Sequence, residues 1–393
     1  MADRFVLRLA LLYGAFFIYA GLSLPFMPAW LAAKGLDARE IGIVLAAPMV
    51  VRVIAVPLST RAADRFGMLR GALVATALAS VAGFALIGLM AGFVALLAGF
   101  ALAAAALAPV LPLADAYALR GLTGRAWSYG SVRLWGSVTF IVANLGGGLL
   151  LARLGARDLI WAVVAALALN AGAALALDPL TPAAPDAADH SEARRAGHSL
   201  WRSPAFIAVV LAASLIQASH AVLYGFATLQ WSARGIGGPA IGMLWALAVV
   251  VEIGLFACSA RVVGAFGAIG MIVLGGAGGA IRWTAMAFDP PTAALPALQC
   301  LHALSFAATH LGTMHFLAQA ADARRGATAQ GDFVAVQGIV FAGAMGLSGV
   351  LVTAYGSLAY GAMAAACAAG TVLAGLALGR GRRGDREFRE RLP

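Results

Sequence analysis

Charge is what this chain has least of. Only 11% of its 393 residues are charged, and 62% are apolar. A soluble domain carries about 25% charged residues, so water is not the main solvent of this protein. Cysteine is scarce too. Cys258, Cys300 and Cys367 lie far apart inside apolar runs. They match no metal-ligand spacing, so buried packing is expected of them and no metal site is. No G-x-x-x-x-G-K-[ST] loop is present, which excludes a nucleotide-driven pump. No nucleophile–base pairing is evident, so an enzyme is not expected. The runs also lack strand alternation, which leaves helices as the spanning form.

What the chain does have is a succession of apolar runs long enough to cross a bilayer. Twelve are expected: about 5–31, 41–60, 71–91, 93–117, 128–152, 158–177, 204–231, 239–260, 267–288, 293–318, 331–354 and 357–379. The first is too long for a signal-peptide core and is kept as a span. The stretch 178–202, "DPLTPAAPDAADHSEARRAGHSLWR", breaks the pattern. It is polar and Pro/Ala-rich, as a flexible linker would be. Its two histidines, His190 and His198, are expected to be solvated. The expected domains are a six-helix bundle over 1–177, a cytoplasmic linker over 178–202, a second six-helix bundle over 203–379 and a basic tail over 380–393.

The net charge of +10 could suggest nucleic acid, but its placement does not. On this span pattern nineteen basic residues fall on the side of the termini and five on the other. This is the positive-inside bias, so both termini are expected in the cytoplasm. The basic excess sets topology, and the partner it implies is the lipid bilayer, not nucleic acid.

The two halves are related. "IGIVLAAPMVVRVIAVPLSTRAADRFG" begins at Ile41 and "IGMLWALAVVVEIGLFACSARVVGAFG" at Ile241. Shifted by 200 residues, nine of these 27 positions are identical without a gap. At the same offset Phe26 falls on Phe226, Gly35 on Gly235, and Arg52 on Glu252. The implied fold is all-α, with twelve transmembrane helices in two six-helix bundles. The bundles would be related by an axis along the membrane normal, the parallel repeat of a major facilitator transporter.

Five charges remain inside spans: Arg52, Asp115, Arg133, Glu252 and Arg282. Each costs about 2.5–3.5 kcal/mol at the bilayer centre on the insertion scale. Pairing around a wet cavity lowers that cost. Asp115 and Arg133 are equidistant from a turn near 124, and Glu252 and Arg282 from a turn near 267. In antiparallel helices each acid should therefore meet its base at similar depth. Desolvation opposes the charged form of a carboxylate, and a nearby guanidinium favours it. A mid-span acid that switches between such environments can carry a proton, and Glu252 is the first candidate.

Other polar groups share helical faces. Gln217, His220 and Tyr224 recur at i, i+3 and i+7 on span seven. Gln299, His302, Phe306 and His310 repeat the pattern on span ten, with His315 beyond them. Asn144 lies three turns from Arg133 on span five. Lone Asn170 reads as a helix–helix hydrogen bond. Three arginines against two acids leave one embedded positive charge, which suits an anionic small-molecule substrate, because arginine holds a carboxylate bidentately.

The segments "SLPFMPAWL", "YGSVRLWGSVTF", "HAVLYGFATLQW", "IGMLWALAVVVE" and "GAIRWTAM" resemble the 3-phenylpropionate permease group of the major facilitator superfamily, over nearly the whole chain. More distantly, the layout is similar to that of lactose permease, in which acid–arginine pairs on spans four and five and on spans eight and nine match Asp115–Arg133 and Glu252–Arg282. That relative has a carboxylate just after its span-ten histidine; His310 and His315 here have none. The superfamily's loop signature G-x-x-x-D-R-x-G appears as "TRAADRFG", with Thr60 for the first glycine, and Asp64, Arg65 and Gly67 in place for gating. The resemblance implies proton-coupled uptake through a monomer in a bacterial inner membrane. Glu252, Arg282, Asp115, His310 and His315 would serve the proton. Arg52, Arg133, Gln217, His220, Tyr224, Gln299, His302 and Asn144 would serve the substrate. The expected function is symport of an aromatic carboxylate, with no cofactor and the proton gradient as energy source. Alternatives are a sugar or nucleoside symporter, an efflux antiporter, and a membrane receptor or scaffold.

Overall fold

The computed structural model describes residues 4–180, 200–320 and 326–390, without the side chains of 326–328 and 380–390. Most of the expected linker, with His190 and His198, lies outside the described residues. Arg324, Arg325 and the last three residues of the tail lie outside them as well.

The first half supplies α1 (Arg4–Ala33), α2 (Ala38–Arg65), α3 (Leu69–Leu89), α4 (Phe93–Leu107), α5 (Val110–Leu122), α6 (Tyr129–Leu154) and α7 (Leu159–Leu175). The second supplies α8 (Pro204–Ala218), α9 (Ala221–Ala233), α10 (Gly238–Ala257), α11 (Ser259–Ala287), α12 (Leu295–Cys300), α13 (Thr309–Ala320), α14 (Gly326–Tyr355) and α15 (Ala359–Glu390). No strand occurs among the described residues. Ten stretches among them are long and apolar enough to cross a membrane. One of these, at 329–379, is two helices joined by a turn at Gly356–Leu358. Span ten is not counted among the ten, because a π-helical segment, Ala303–Ala308, interrupts it. Dividing the one and adding the other gives twelve crossings.

Local chemistry starts and stops these helices. Asp37 caps α2, accepting from the Glu40 backbone N–H at 2.9 Å while the Glu40 carboxylate accepts from the Asp37 N–H at 3.0 Å, a complete capping box. At the end of α3 the Lys34 ammonium donates to the carbonyls of Gly88 and Met90, at 2.7 and 2.9 Å. At the end of α7 Arg70 does the same for Leu175 and Leu177, both at 2.8 Å. Carbonyls left over at helix ends thus find charged donors.

The internal repeat is visible in the backbone. Gly35 and Gly235 have φ of 91° and 79°, and Gly67 and Gly267 have φ of 63° and 70°. Glycine recurs at these paired positions because the chain turns there through a conformation that side chains disfavour. Helix pairings recur too. α1 packs on α6 and α7, and α8 packs on α14 and α15. α3 packs on α4 and α7, and α11 packs on α13 and α15.

The chain divides into two compact units. One contains the helices from α1 to α7 together with Leu223–Ala246, and the other contains 200–222 and the residues from Leu247 onward. The division cuts through α9 and α10, so it does not follow the linker alone. In the first unit α6 and α10 meet along glycines. A Cβ on Gly148 would collide with the Gly238 carbonyl, and one on Gly242 with the carbonyl of Asn144. In the second, Gly275 and Gly279 of α11 let the π segment, Thr309 and Cys367 approach closely, as small residues do at helix interfaces. The buried Asn170 amide donates to the Leu12 carbonyl at 3.0 Å, a helix–helix bond as expected. Of the three cysteines, Cys367 is buried, whereas Cys258 and Cys300 are exposed, contrary to the packing role expected of them. Both sit at helix ends, where fewer neighbours surround a side chain.

Candidate functional site

Four of the five embedded charges gather in two places, one in each unit. In the first unit Arg133 reaches Asp115 at 3.3 Å, so α5 and α6 do bring the expected acid and base together. Two phenols join them. Tyr13 and Tyr129 donate to the same Asp115 Oδ1 at 2.7 and 2.8 Å. The guanidinium also lies over the rings of Phe17, Tyr13 and Tyr129, at 5.3, 5.7 and 5.9 Å. Three donors on one carboxylate oxygen stabilise its charge and fix its place. Tyr129 was legible in principle, since it precedes Arg133 by one helical turn. Tyr13, 102 residues before Asp115, carried no local signal.

Arg52 behaves differently. It lies on α2, exposed, and makes no ion pair with any described residue. Asn144 is fully buried, and neither its amide oxygen nor its nitrogen has a hydrogen-bond partner among the described residues. At the end of α2, Asp64 pairs with Arg120 at 3.1 Å and Arg65 lies over Phe66 at 5.9 Å, and just after it Gly67 takes its positive φ.

The second cluster is the larger. Arg282 of α11 is 1% exposed, and the structure corrects its expected partner. It does not meet Glu252 directly. Its Nη1 donates to His302 Nδ1 and to Ser305 Oγ, both at 3.2 Å, and its Nη2 to Gln299 Oε1. His302 stands between base and acid, with Nε2 3.5 Å from Glu252 Oε2. Equal distance from a turn sets similar depth but not azimuth, and the span-ten side chains fill the gap between the two helices.

The π segment shapes this cluster. Its extra residue per turn brings the rings of His302, Phe306 and His310 into one stack. The centroid separations are 5.0 and 6.2 Å and the interplanar angles 9° and 7°. The stack runs from buried His302 to exposed His310. From α8, Gln217 donates to the Phe306 carbonyl at 3.3 Å. His220, just past the end of α8, places Nδ1 3.1 Å from the Gln217 carbonyl and Nε2 3.2 Å from Ser305 Oγ. A break at Ser219–His220 separates α8 from α9, so Tyr224 does not continue the Gln217–His220 face. It packs instead on Trp245 at 6.0 Å. His315 is exposed on α13 and joins neither cluster among the described residues. Ser305, which sequence reasoning did not single out, holds this cluster together.

Hydrogen positions follow from elementary chemistry. A guanidinium has donors and no acceptor. His302 Nδ1 must therefore accept from Arg282, and the ring carries its proton on Nε2, facing Glu252. Gln217 offers a carbonyl, so His220 Nδ1 must be the N–H. No group of three or more His, Cys, Asp or Glu side chains among the described residues could hold a metal ion.

Comparison with known proteins agrees with this architecture. The family model described as the MFS_1 like family matches residues 6–365. The chain is 31% identical over 361 residues to a "Probable 3-phenylpropionic acid transporter" of Escherichia coli (strain K12), covering 90% of each chain. It is 30% identical over 286 residues to a "Maltose permease" of Geobacillus stearothermophilus, covering 72% of this chain and 71% of that one. Among solved structures, the nucleoside transporter NupG superposes with a TM-score of 0.82 at 16% identity, over 96% of this chain and 99% of that one. That last likeness is one of fold.

Proposed function

This chain belongs to the MFS_1 like family and is a multi-pass membrane transporter, not an enzyme; from that premise we propose that it takes up a small aromatic carboxylate together with a proton. The observation that carries the proton half is the direction of the hydrogen bonds around Arg282. While Arg282 donates to His302 Nδ1, that nitrogen cannot accept a proton. Nε2 already holds one. Glu252 and, on the exposed side, His310 are then the groups that can take a proton without breaking a bond of the cluster. Glu252 binds the proton from one side of the membrane and releases it to the other as the carrier reorients. The transmembrane proton gradient drives accumulation, and no cofactor takes part.

Arg52 supports the anionic half. Arg133 is engaged with Asp115 and Arg282 with three neutral acceptors. Arg52 is exposed on α2 and makes no ion pair with a described residue, and a substrate carboxylate would satisfy it bidentately. The likeness to a phenylpropionic acid transporter favours an arene on that carboxylate. The likeness to a maltose permease favours a sugar as the second reading. The bacterial relatives favour a bacterial inner membrane, the basic-residue bias favours cytoplasmic termini, and the working unit is a monomer.

Proteoliposomes test this directly. An imposed inward proton gradient should drive uptake of labelled 3-phenylpropionate above equilibrium, and a protonophore should abolish it. Gradient-driven uptake of maltose but not of the acid would instead establish the sugar reading. Expulsion of substrate under the same gradient would establish antiport.

A further inference from the structure

Ser305 carries a hydroxyl that both accepts and donates within the Arg282 cluster. Its Oγ lies 3.2 Å from Arg282 Nη1 and 3.2 Å from His220 Nε2. Arginine only donates, so the hydroxyl oxygen accepts there. His220 carries its proton on Nδ1, against the Gln217 carbonyl, so Nε2 is the nitrogen that accepts. The Ser305 proton therefore points at His220. The chain of donors then has one sense throughout. Arg282 gives to Ser305, Ser305 to His220, and His220 to Gln217. A second branch runs from Arg282 to His302 and on toward Glu252.

Both branches leave from the same nitrogen, Nη1. Its two hydrogens are fixed in the guanidinium plane, so the direction of one sets the direction of the other. Holding one on Ser305 aims the other at His302 Nδ1. The arm itself is buried and closely packed. His220 is fully buried and sits edge-on to Trp283 at 5.1 Å and to His302 at 5.4 Å. Trp283 in turn donates to Ser219 at 2.8 Å and stacks on Tyr360 at 5.8 Å.

We propose that Ser305 and His220 are positioning residues for the proton step. By holding Arg282 they keep His302 in its Nε2–H form and present that N–H to Glu252. Without the arm the guanidinium turns, His302 Nδ1 loses its donor, and the ring becomes free to exchange tautomers. Glu252 then loses the oriented neighbour that distinguishes its charged from its protonated state. This inference rests on the proton-coupled reading above, but its primary test does not require transport.

That test is the tautomer of His302. It is read by ¹⁵N NMR of the full-length protein labelled at histidine, with the His302 signals assigned by difference against His302→Gln. The wild-type protein should show the Nε2–H tautomer. Ser305→Ala should give a mixture, and Ser305→Thr, which keeps the hydroxyl, should restore the wild-type spectrum. His220→Phe keeps a ring against Trp283 and removes the acceptor, so it should behave as Ser305→Ala does and serves if that variant fails to fold. In proteoliposomes the accumulation ratio should fall about tenfold in Ser305→Ala, the scale of one hydrogen bond to a charged group, and recover in Ser305→Thr. A pure Nε2–H tautomer in both Ser305→Ala and His220→Phe would overturn the proposal, as would a Thr variant no better than Ala. Absence of proton-driven accumulation in the wild type would overturn the functional reading and leave the tautomer result to decide the arm by itself.

Discussion

Arg52 and Asn144 both carry polar groups inside spans, yet they stand in opposite situations. Arg52 is exposed and without an ion pair to a described residue, so it has charge to offer. Arg52→Gln should weaken binding of 3-phenylpropionate about tenfold to a hundredfold, the scale of a charge-assisted bond. It should leave the neutral amide analogue of that acid nearly unaffected. A thermal-shift titration with both ligands checks this, and equal losses for the two would mean that Arg52 acts on structure rather than on the carboxylate. Asn144 is fully buried, with both amide atoms unpartnered among the described residues. An orphaned buried polar group costs about 1–3 kcal/mol, so Asn144→Leu, close in shape and apolar, should raise the unfolding midpoint. A lowered midpoint would show that the amide has a partner of its own. The sequence makes both residues conspicuous as polar letters in apolar runs. It does not separate them, because burial depends on what a distant helix brings. For Asn144 that is α10, with Gly242 against its backbone carbonyl.

At the scale of elements, spans and their ends were legible. Apolar length marks the helices, and the 200-residue repeat marks paired turns such as Gly67 and Gly267. What was not legible was the interior of span ten. A 3.6-residue period assumes unbroken α-helix, and nothing in "ALSFAA" announces the π segment at Ala303–Ala308. His302, immediately before that segment, lies between Glu252 and Arg282, in place of the expected direct pair. The turn glycines give a direct test of local rules. Gly267 has φ 70° and ψ 167°, with nothing within 4 Å of an added Cβ. Gly267→Ala should therefore cost about 1–3 kcal/mol from backbone strain alone. Gly264 lies on the same helix, with equal space and no positive φ, so Gly264→Ala should be neutral or stabilise by up to about 1 kcal/mol. Guanidinium or thermal unfolding of the purified pair reads the difference. Matching midpoints would refute the backbone account.

For the whole molecule, the basic-residue bias is what the expected orientation rests on, and the two charge clusters are what the proposed mechanism rests on. A reporter fused after Arg202 should behave as cytoplasmic and one at Gly237 as periplasmic; the reverse would remove the twelve-span topology. The family, the helical fold and the Asp115–Arg133 pair were readable from residues alone, since they depend on apolar length and on depth within a hairpin. Ser305 and Tyr13 were not, because hydroxyls are common in spans and only the packed structure shows which ones close a network. The central claim is that Glu252 carries the coupled proton, and it predicts a separation of two activities. Glu252→Gln keeps the side chain's shape and an oxygen for His302, but it cannot bind and release a proton. The decisive measurement compares Glu252→Gln with the wild type in two assays, uphill uptake under an imposed proton gradient and substrate exchange at equilibrium without one. The account predicts that exchange persists while accumulation is lost. A Glu252→Gln carrier that still concentrates substrate against its gradient would contradict it.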